Sequence, residues 1–349
     1  MWLSLLHYYL SISGFLAYLF IAIKRIRLST TDLFLLLGLA LLMVLHIFTR
    51  TPIEAVLDFR FYWGWLFFYF IFKANSVNYR TLEITLIALS VLTLVEAILV
   101  NTVITTAMLP NAPLNTNDYS NSVTLNGVYQ RPYSFGGNGP VGSSILVALM
   151  AVCNAKRWLF WLSMLAVMSL ASGTGLFVLM LLMLVRYRAK LIKAASWLFL
   201  GAFLGGILFS EEVQIIGEVY LDKIGPDYII LMASLLWFEL TTFSDTIGDV
   251  ESIMHILTGY STHDQDGGTG HGGDWGILAF LSANGLIGVS LILSTIFARM
   301  NNVNRFPLFI IFLASVHYSA MSFLPGQMVI GLLLSITMPH RGKFVQCKA

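Results

Sequence analysis

The chain has 349 residues, of which 57% are hydrophobic and 11% charged, with a formal net charge of +2 and a mean hydropathy of +0.80. So few charges cannot cover a soluble fold of this length, which excludes a water-soluble globular domain and points to a polytopic membrane protein with the bilayer as its solvent. The charge balance carries no nucleic-acid signal, and no nucleic-acid partner is expected.

A helix needs about 20 apolar residues to cross a hydrocarbon core of about 30 Å. Such stretches lie near residues 3–23, 31–48, 58–72, 82–100, 139–155, 194–210, 275–298, 307–324 and 327–339. The first lacks a basic leader and is followed by basic residues, so it reads as a retained span and not as a cleaved signal. Residues 158–185 are too many for one span and few for two. Lys156 and Arg157 precede this stretch, and Arg186, Arg188, Lys190 and Lys193 follow it. Cytoplasmic loops collect cations, so the chain must enter and return. Ser172 and Gly173 permit the turn, giving spans 158–171 and 173–185 with their tip near the outer face. The expectation is an all-α polytopic integral membrane protein with about 11 transmembrane helices. They form one transmembrane domain over residues 1–349, with the N-terminus outside and the C-terminus inside. Sixteen of the twenty Lys and Arg then lie inside, and Arg50, Arg60, Arg131 and Lys223 lie outside. The two cysteines, Cys153 and Cys347, fall far apart in that layout and imply no disulfide framework.

The outer segments are 49–57, 101–138 and 211–274, and chemistry on a large polar substrate belongs there. The loop 211–274 is expected to be the large outer loop, rich in Asp and Glu, with Lys223 its one cation. Its middle, Tyr228–Phe238, is apolar enough to lie along the membrane surface as a short amphipathic helix.

Residues 129–142 hold Arg131, Tyr133, Gly137 and Asn138 just before a span. Glycine-exposed backbone amides at a helix start favour an anion, and arginine grips phosphate bidentately. The alternative is a Gly-Pro turn entering a helix, with Arg131 solvated or on lipid headgroups. A dinucleotide-binding reading of Gly137, Gly139 and Gly142 fails, because no strand–helix–strand unit surrounds them.

In residues 259–288 a glycine-rich approach places His271 and Asp274 at a membrane entrance. Either is a candidate general base once burial tunes it, and Asp274 is equally a candidate helix N-cap. The Asp and His spacing matches no calcium loop, and no metal or cofactor is expected. Glu96 lies near the outer end of its span, where an unpaired carboxylate costs about 2.5 kcal/mol or more. It is therefore bundle-facing or functional, unless it snorkels to the interface. Arg50, Glu54, Asp58 and Arg60 cluster at the first outer loop, either as interfacial anchors or with both arginines on a pyrophosphate. His7, His46, His255 and His317 stand alone in sequence and read as structural.

These residues together resemble the O-antigen polymerase and O-antigen ligase superfamily. The likeness rests on Arg131-Pro132-Tyr133 followed by Phe135-Gly136-Gly137-Asn138 opening a span. It continues with a span pair joined at Ser172-Gly173-Thr174, a large outer loop, and a closing Asp274-Trp275-Gly276-Ile277-Leu278 with Gly285-Leu286-Ile287-Gly288. It covers about residues 125–340. Two departures stand out: Gly173 replaces the family's turn arginine, and the large loop lacks arginine. Aspartate at 274, where ligases carry histidine, is more like a polymerase.

The resemblance implies an enzyme of the bacterial inner membrane with its active site facing the periplasm. It would be a metal-independent glycosyltransferase joining undecaprenyl-pyrophosphate-linked repeat units into O-antigen or a related surface polysaccharide. Arg131, Tyr133, Gly137 and Asn138 would bind the pyrophosphate, with Arg50, Arg60 or Lys223 in support. His271 or Asp274 would deprotonate the acceptor hydroxyl, and Glu96 would orient an arginine. The implied partners are a lipid-linked glycan donor and acceptor, membrane lipid and a chain-length regulator protein. The alternatives are a ligase moving finished polymer to another acceptor, and a transporter of lipid-linked glycans.

Overall fold

The structure is a computed structural model that describes residues 28–46, 50–74, 79–102, 124–125, 129–130, 132, 139–153, 156–187, 252–259, 276–316 and 320–336. The expected spans 3–23 and 194–210 and the interfacial helix at 228–238 lie outside the described residues. What is described is almost wholly helical. It comprises α1 (Thr30–His46), α2 (Pro52–Trp63), α3 (Trp65–Ala74), α4 (Tyr79–Thr102), α5 (Gly139–Val152), α6 (Arg157–Ser169), α7 (Gly173–Tyr187), α8 (Ser252–Thr258), α9 (Gly276–Arg299), α10 (Arg305–Ala314) and α11 (Leu324–Ser335). A two-residue antiparallel ribbon, β1 (Thr124–Leu125) with β2 (Tyr129–Gln130), packs on α4.

The helices carry apolar residues on every side. In α1 the buried positions Asp32, Leu35, Leu39, Leu42 and His46 recur at alternating steps of three and four, the period of one helix face. The opposite face is no more polar, exposing Phe34, Leu37, Leu41 and Val44. Such a helix has no side suited to water. At the centre lies α5, buried continuously from Val141 to Met150. Helices α4, α6, α7 and α10 pack around it. A second group joins α1, α8 and α9, and α3 with α11 forms the most extensive helix pair. Gly331 lets these two backbones close up: a Cβ there would lie 2.6 Å from the Tyr69 amide nitrogen.

Two helices, at 79–99 and 276–299, are long and apolar enough to cross a membrane unaided, and the pair α2–α3 makes a third if taken as one bent span. The expected count of about 11 spans is not reached among the described residues. Several expected boundaries also move. The single span at 58–72 is a pair of helices bent by 50° at Gly64. The first outer loop, expected over 49–57, is already helical from Pro52. The span expected at 307–324 stops as a helix at Ala314, and α11 begins at Leu324. At 1.5 Å per residue α10 and α11 reach only about 15 and 18 Å.

The bundle has two distinguishable ends. At one, Asp32 of α1, Lys73 of α3 and Arg299 of α9 meet. Asn304 donates there to the carbonyls of Arg299 and Leu333, and Asn301 donates to that of Ile336. The α10–α11 unit therefore both starts and finishes at this end. Its turn lies partway up the bundle, where Gln327 Nε2 donates to the carbonyls of Arg60, Phe61 and Met321. That amide occupies the break at Gly64. A broken helix at depth needs such a donor or acceptor, because hydrocarbon supplies none. The hairpin expected over 158–185 is present as α6 and α7, joined through Leu170–Ser172. The residue with positive φ in the turn is Ala171, at 41°, and not a glycine.

Candidate functional site

The corner between α1 and α2 is made by local capping. The Arg50 amide donates to the His46 carbonyl. Thr51 then caps α2 through its hydroxyl, while Glu54 reaches back to the Thr51 amide, with Pro52 at the first helical position. This reciprocal cap fixes where α2 starts and holds Arg50 at the joint. Asp58 follows two turns into α2. Arg50 Nη1 donates to Asp58 Oδ2 at 2.6 Å, with both side chains 0% exposed. Arg50 Nη2 donates to the carbonyls of Ala283, at 2.8 Å, and Thr258, at 3.3 Å. His46 Nε2 donates to the same Thr258 carbonyl at 2.7 Å. Burial pulls the Arg50 guanidinium below its ordinary pKa, with Asp58 opposing the shift; an arginine still stays protonated.

The carbonyls that Arg50 collects come from a kink. Gly285 interrupts α9 with φ 58° and ψ −166°, a conformation essentially restricted to glycine. The amides beyond it are displaced, so carbonyls of the preceding turn need other donors. Arg50 supplies Ala283, and the Asn284 side chain supplies Phe280. Asn284 Oδ1 in turn accepts from Trp63 Nε1 at 2.6 Å. The rings of Tyr62 and Trp63 stand against Phe280 at 5.7 and 5.6 Å. The kink also lets α8 in. A Cβ on Gly285 would sit 2.5 Å from the Leu257 carbonyl carbon, and one on Gly259, at φ 77°, would sit 2.4 Å from that of Ala283. Each glycine admits the other's backbone. Arg50 Nε and Ser282 Oγ are buried here with no hydrogen-bond partner among the described residues.

A second constellation gathers at the start of α5. A Cβ at Gly139 would meet the Leu170 carbonyl at 3.1 Å and Ser172 Cβ at 3.8 Å. Ser172 Oγ accepts from the Gly175 amide at 3.2 Å, capping α7, and Ser143 lies against Gly175. Thus the glycine start of α5 and the Ser172-Gly173-Thr174 turn, 33 positions apart in sequence, are packed together. The far end of α5 identifies which end this is. Cys153 lies within electrostatic reach of Glu83, in the first turns of α4 and close in sequence to Lys73. Gly139 therefore lies toward the end opposite Asp32, the end to which α1 rises to reach Arg50. Half-buried Glu96 lies about 25 Å along α4 from Tyr79, toward that same end.

Of the residues expected to act, Arg50, Arg60 and Glu96 are described. Arg50 is enclosed and both its terminal nitrogens are bound inside the protein, whereas Arg60 is exposed in the last turn of α2. Arg131, Tyr133, Gly137, Asn138, Lys223, His271 and Asp274 lie outside the described residues, although Pro132 is buried. Among the described residues no three His, Cys, Asp or Glu come together as a metal site would require.

The sequence reading passed over Asp58 as the partner of Arg50 and overlooked Asp32 altogether. Asp32 accepts from Lys73 Nζ, Arg299 Nη2, Tyr69 Oη and the Ser29 amide and hydroxyl. Ser29 and Asp32 carry a visible signal, a hydroxyl and a carboxylate three residues apart at a span entrance. Comparison with known proteins finds no matching family model, no matching curated protein and no matching solved structure.

Proposed function

We propose that the protein is a bacterial inner-membrane, multi-pass glycosyltransferase. It would polymerise undecaprenyl-pyrophosphate-linked oligosaccharides on the periplasmic side. The observation that carries this reading is the packing of Gly139 against Leu170 and Ser172. It joins two of the sequence elements on which the resemblance rests. Arg131 and Asn138 lead directly into that helix start, where exposed amides and a helix dipole favour a phosphate. Arg131 would stabilise the charge developing on the leaving pyrophosphate. His271 or Asp274, in the segment that enters α9, would take the proton from the acceptor hydroxyl. The test is polymerisation by the purified protein of lipid-linked repeat units from its own host. A ladder at repeat-unit spacing is expected, lost in Arg131→Ala at normal protein levels. A ladder of unchanged length in that variant would overturn the assignment.

One observation favours a second reading, a transporter of lipid-linked glycans. The chain breaks at Gly64, at Gly285 and between α10 and α11, and interrupted helices mark transport folds. Flux of the same substrate across proteoliposomes, without a ladder, would select it.

A further inference from the structure

We propose that the base of the α6–α7 hairpin binds one anionic phospholipid. Arg157 and Arg186 hold its phosphate, and the exposed face of α6 receives its acyl chains. The site stands whether or not the chain polymerises glycans. Residues 156–187 contain Lys156, Arg157 and Arg186 and no Asp or Glu. The hairpin folds these cations onto one place: Arg157 opens α6, and Arg186 lies in the last turn of α7. The Arg186 guanidinium sits 4.9 Å from the Phe160 ring and 5.7 Å from that of Tyr187. Phe160 comes three positions after Arg157 and four after Lys156, so it shares their side of the helix. Its ring is buried and stands edge-on to Tyr187 at 5.6 Å. Stacking on two rings restrains Arg186 and presents its fork of donors beside two exposed cations. Helix α4 adds exposed Arg80 and half-buried Glu83 at the same end, with Glu83 toward Cys153. Cations therefore outnumber carboxylates where these three helices end. Along α6 the exposed side chains are Trp158, Trp161, Leu165 and Met168. Steps of three, four and three put them on one face. Two indoles beside the cations, then two flexible apolar side chains, follow the order of a phospholipid from head to acyl chain. Arginine takes phosphate oxygens in pairs, and basic clusters at helix ends hold anionic headgroups. A zwitterionic head brings its own ammonium, which these cations repel.

The experiment is native mass spectrometry of the full chain in detergent, titrated with phosphatidylglycerol or with phosphatidylcholine of equal chain length. The parent should retain one phosphatidylglycerol at least about tenfold more tightly, the scale of two cations on an anionic lipid. Arg157→Gln changes an exposed side chain and should lower that preference about fivefold. Arg186→Lys keeps the charge but loses the fork and the stacking, and should lower it severalfold as well. Arg305→Gln removes an exposed cation from the start of α10, at the same end of the bundle. It should leave the preference within about twofold, because that position lies outside the site. Equal affinity of the parent for both lipids overturns the site. An equal loss in Arg157→Gln and Arg305→Gln also overturns it, since that marks diffuse attraction to one end of the bundle. Full preference retained in Arg186→Lys overturns it too, because a shaped site needs the fork. Tighter retention of a polyprenyl pyrophosphate than of phosphatidylglycerol gives the patch to that lipid and overturns the phospholipid assignment.

Discussion

At one end of the bundle Asp32 is held between Lys73 and Arg299, cations that each keep 16% of their side-chain surface exposed; at the other, Arg50 and Asp58 face each other with none. The first arrangement has two positive charges for one negative and stands where three helices end. The second is neutral as a pair and stands beside a kink. Asp32 itself is enclosed, but partial exposure of Lys73 and Arg299 lets water and salt share the work there, so each bond is worth less than in a sealed pair. Enclosure at the Arg50 end makes each bond obligatory, because a buried charge without its partner is costly. Ion pairs of similar length thus serve different purposes. One gathers helix termini, and the other fixes backbone that has left regular structure.

The largest expected effect comes from cutting the enclosed pair. Asp58→Ala leaves Arg50 as an uncompensated buried cation and should destabilise the protein by about 3–5 kcal/mol, read as thermal unfolding in detergent. Next are the glycines. Gly285→Ala should cost about 1–3 kcal/mol through its backbone conformation alone, with overlap on Leu257 added. Because Gly259→Ala disturbs the same contact, the double variant should cost clearly less than the sum of the two, which a double-mutant cycle measures. Asp32→Asn, which keeps an acceptor for its partly exposed cations, should cost about 1–3 kcal/mol. That cost should shrink as salt rises from low to high concentration, while the Asp58→Ala deficit stays constant; equal salt dependence at both ends would erase the contrast. Smallest is Thr51→Ala, at about 1 kcal/mol or below, because its cap sits on an exposed turn.

Composition and cation placement were enough to identify a helical, membrane-compatible chain, and the pairing of Lys156 and Arg157 with Arg186 located the α6–α7 turn. Apolar runs could not disclose where helices stop inside them. Gly64 and Ser315 lie within stretches as hydrophobic as any span, and the breaks depend on Gln327 and Ser315 supplying the backbone with partners. The start of α2 was legible, since Thr51-Pro52-Ile53-Glu54 is a capping signature, but charge clustering drew attention instead. Arg50 stood out only as one of a charge cluster, and its partners at 258 and 283 lie more than 200 residues away. No local pattern encodes such a contact. The position of Glu96 late in its helix was legible, because helix length alone sets its height above Tyr79.

The α3–α11 interface has a consequence in time. Its halves end at residues 74 and 335, and at about 5–20 residues per second the ribosome needs roughly 13–50 s to travel between them. For that interval Trp65, Tyr69 and the turn at Gly64 lack the helix that will later enclose them, and Gln327 does not yet exist to meet the open carbonyls of Arg60 and Phe61. The early half of the bundle must therefore wait in the bilayer in an unfinished state, sheltered by lipid or by an insertion factor. A chain cut short before α11 should be cleared by proteolysis even though every earlier helix has been made.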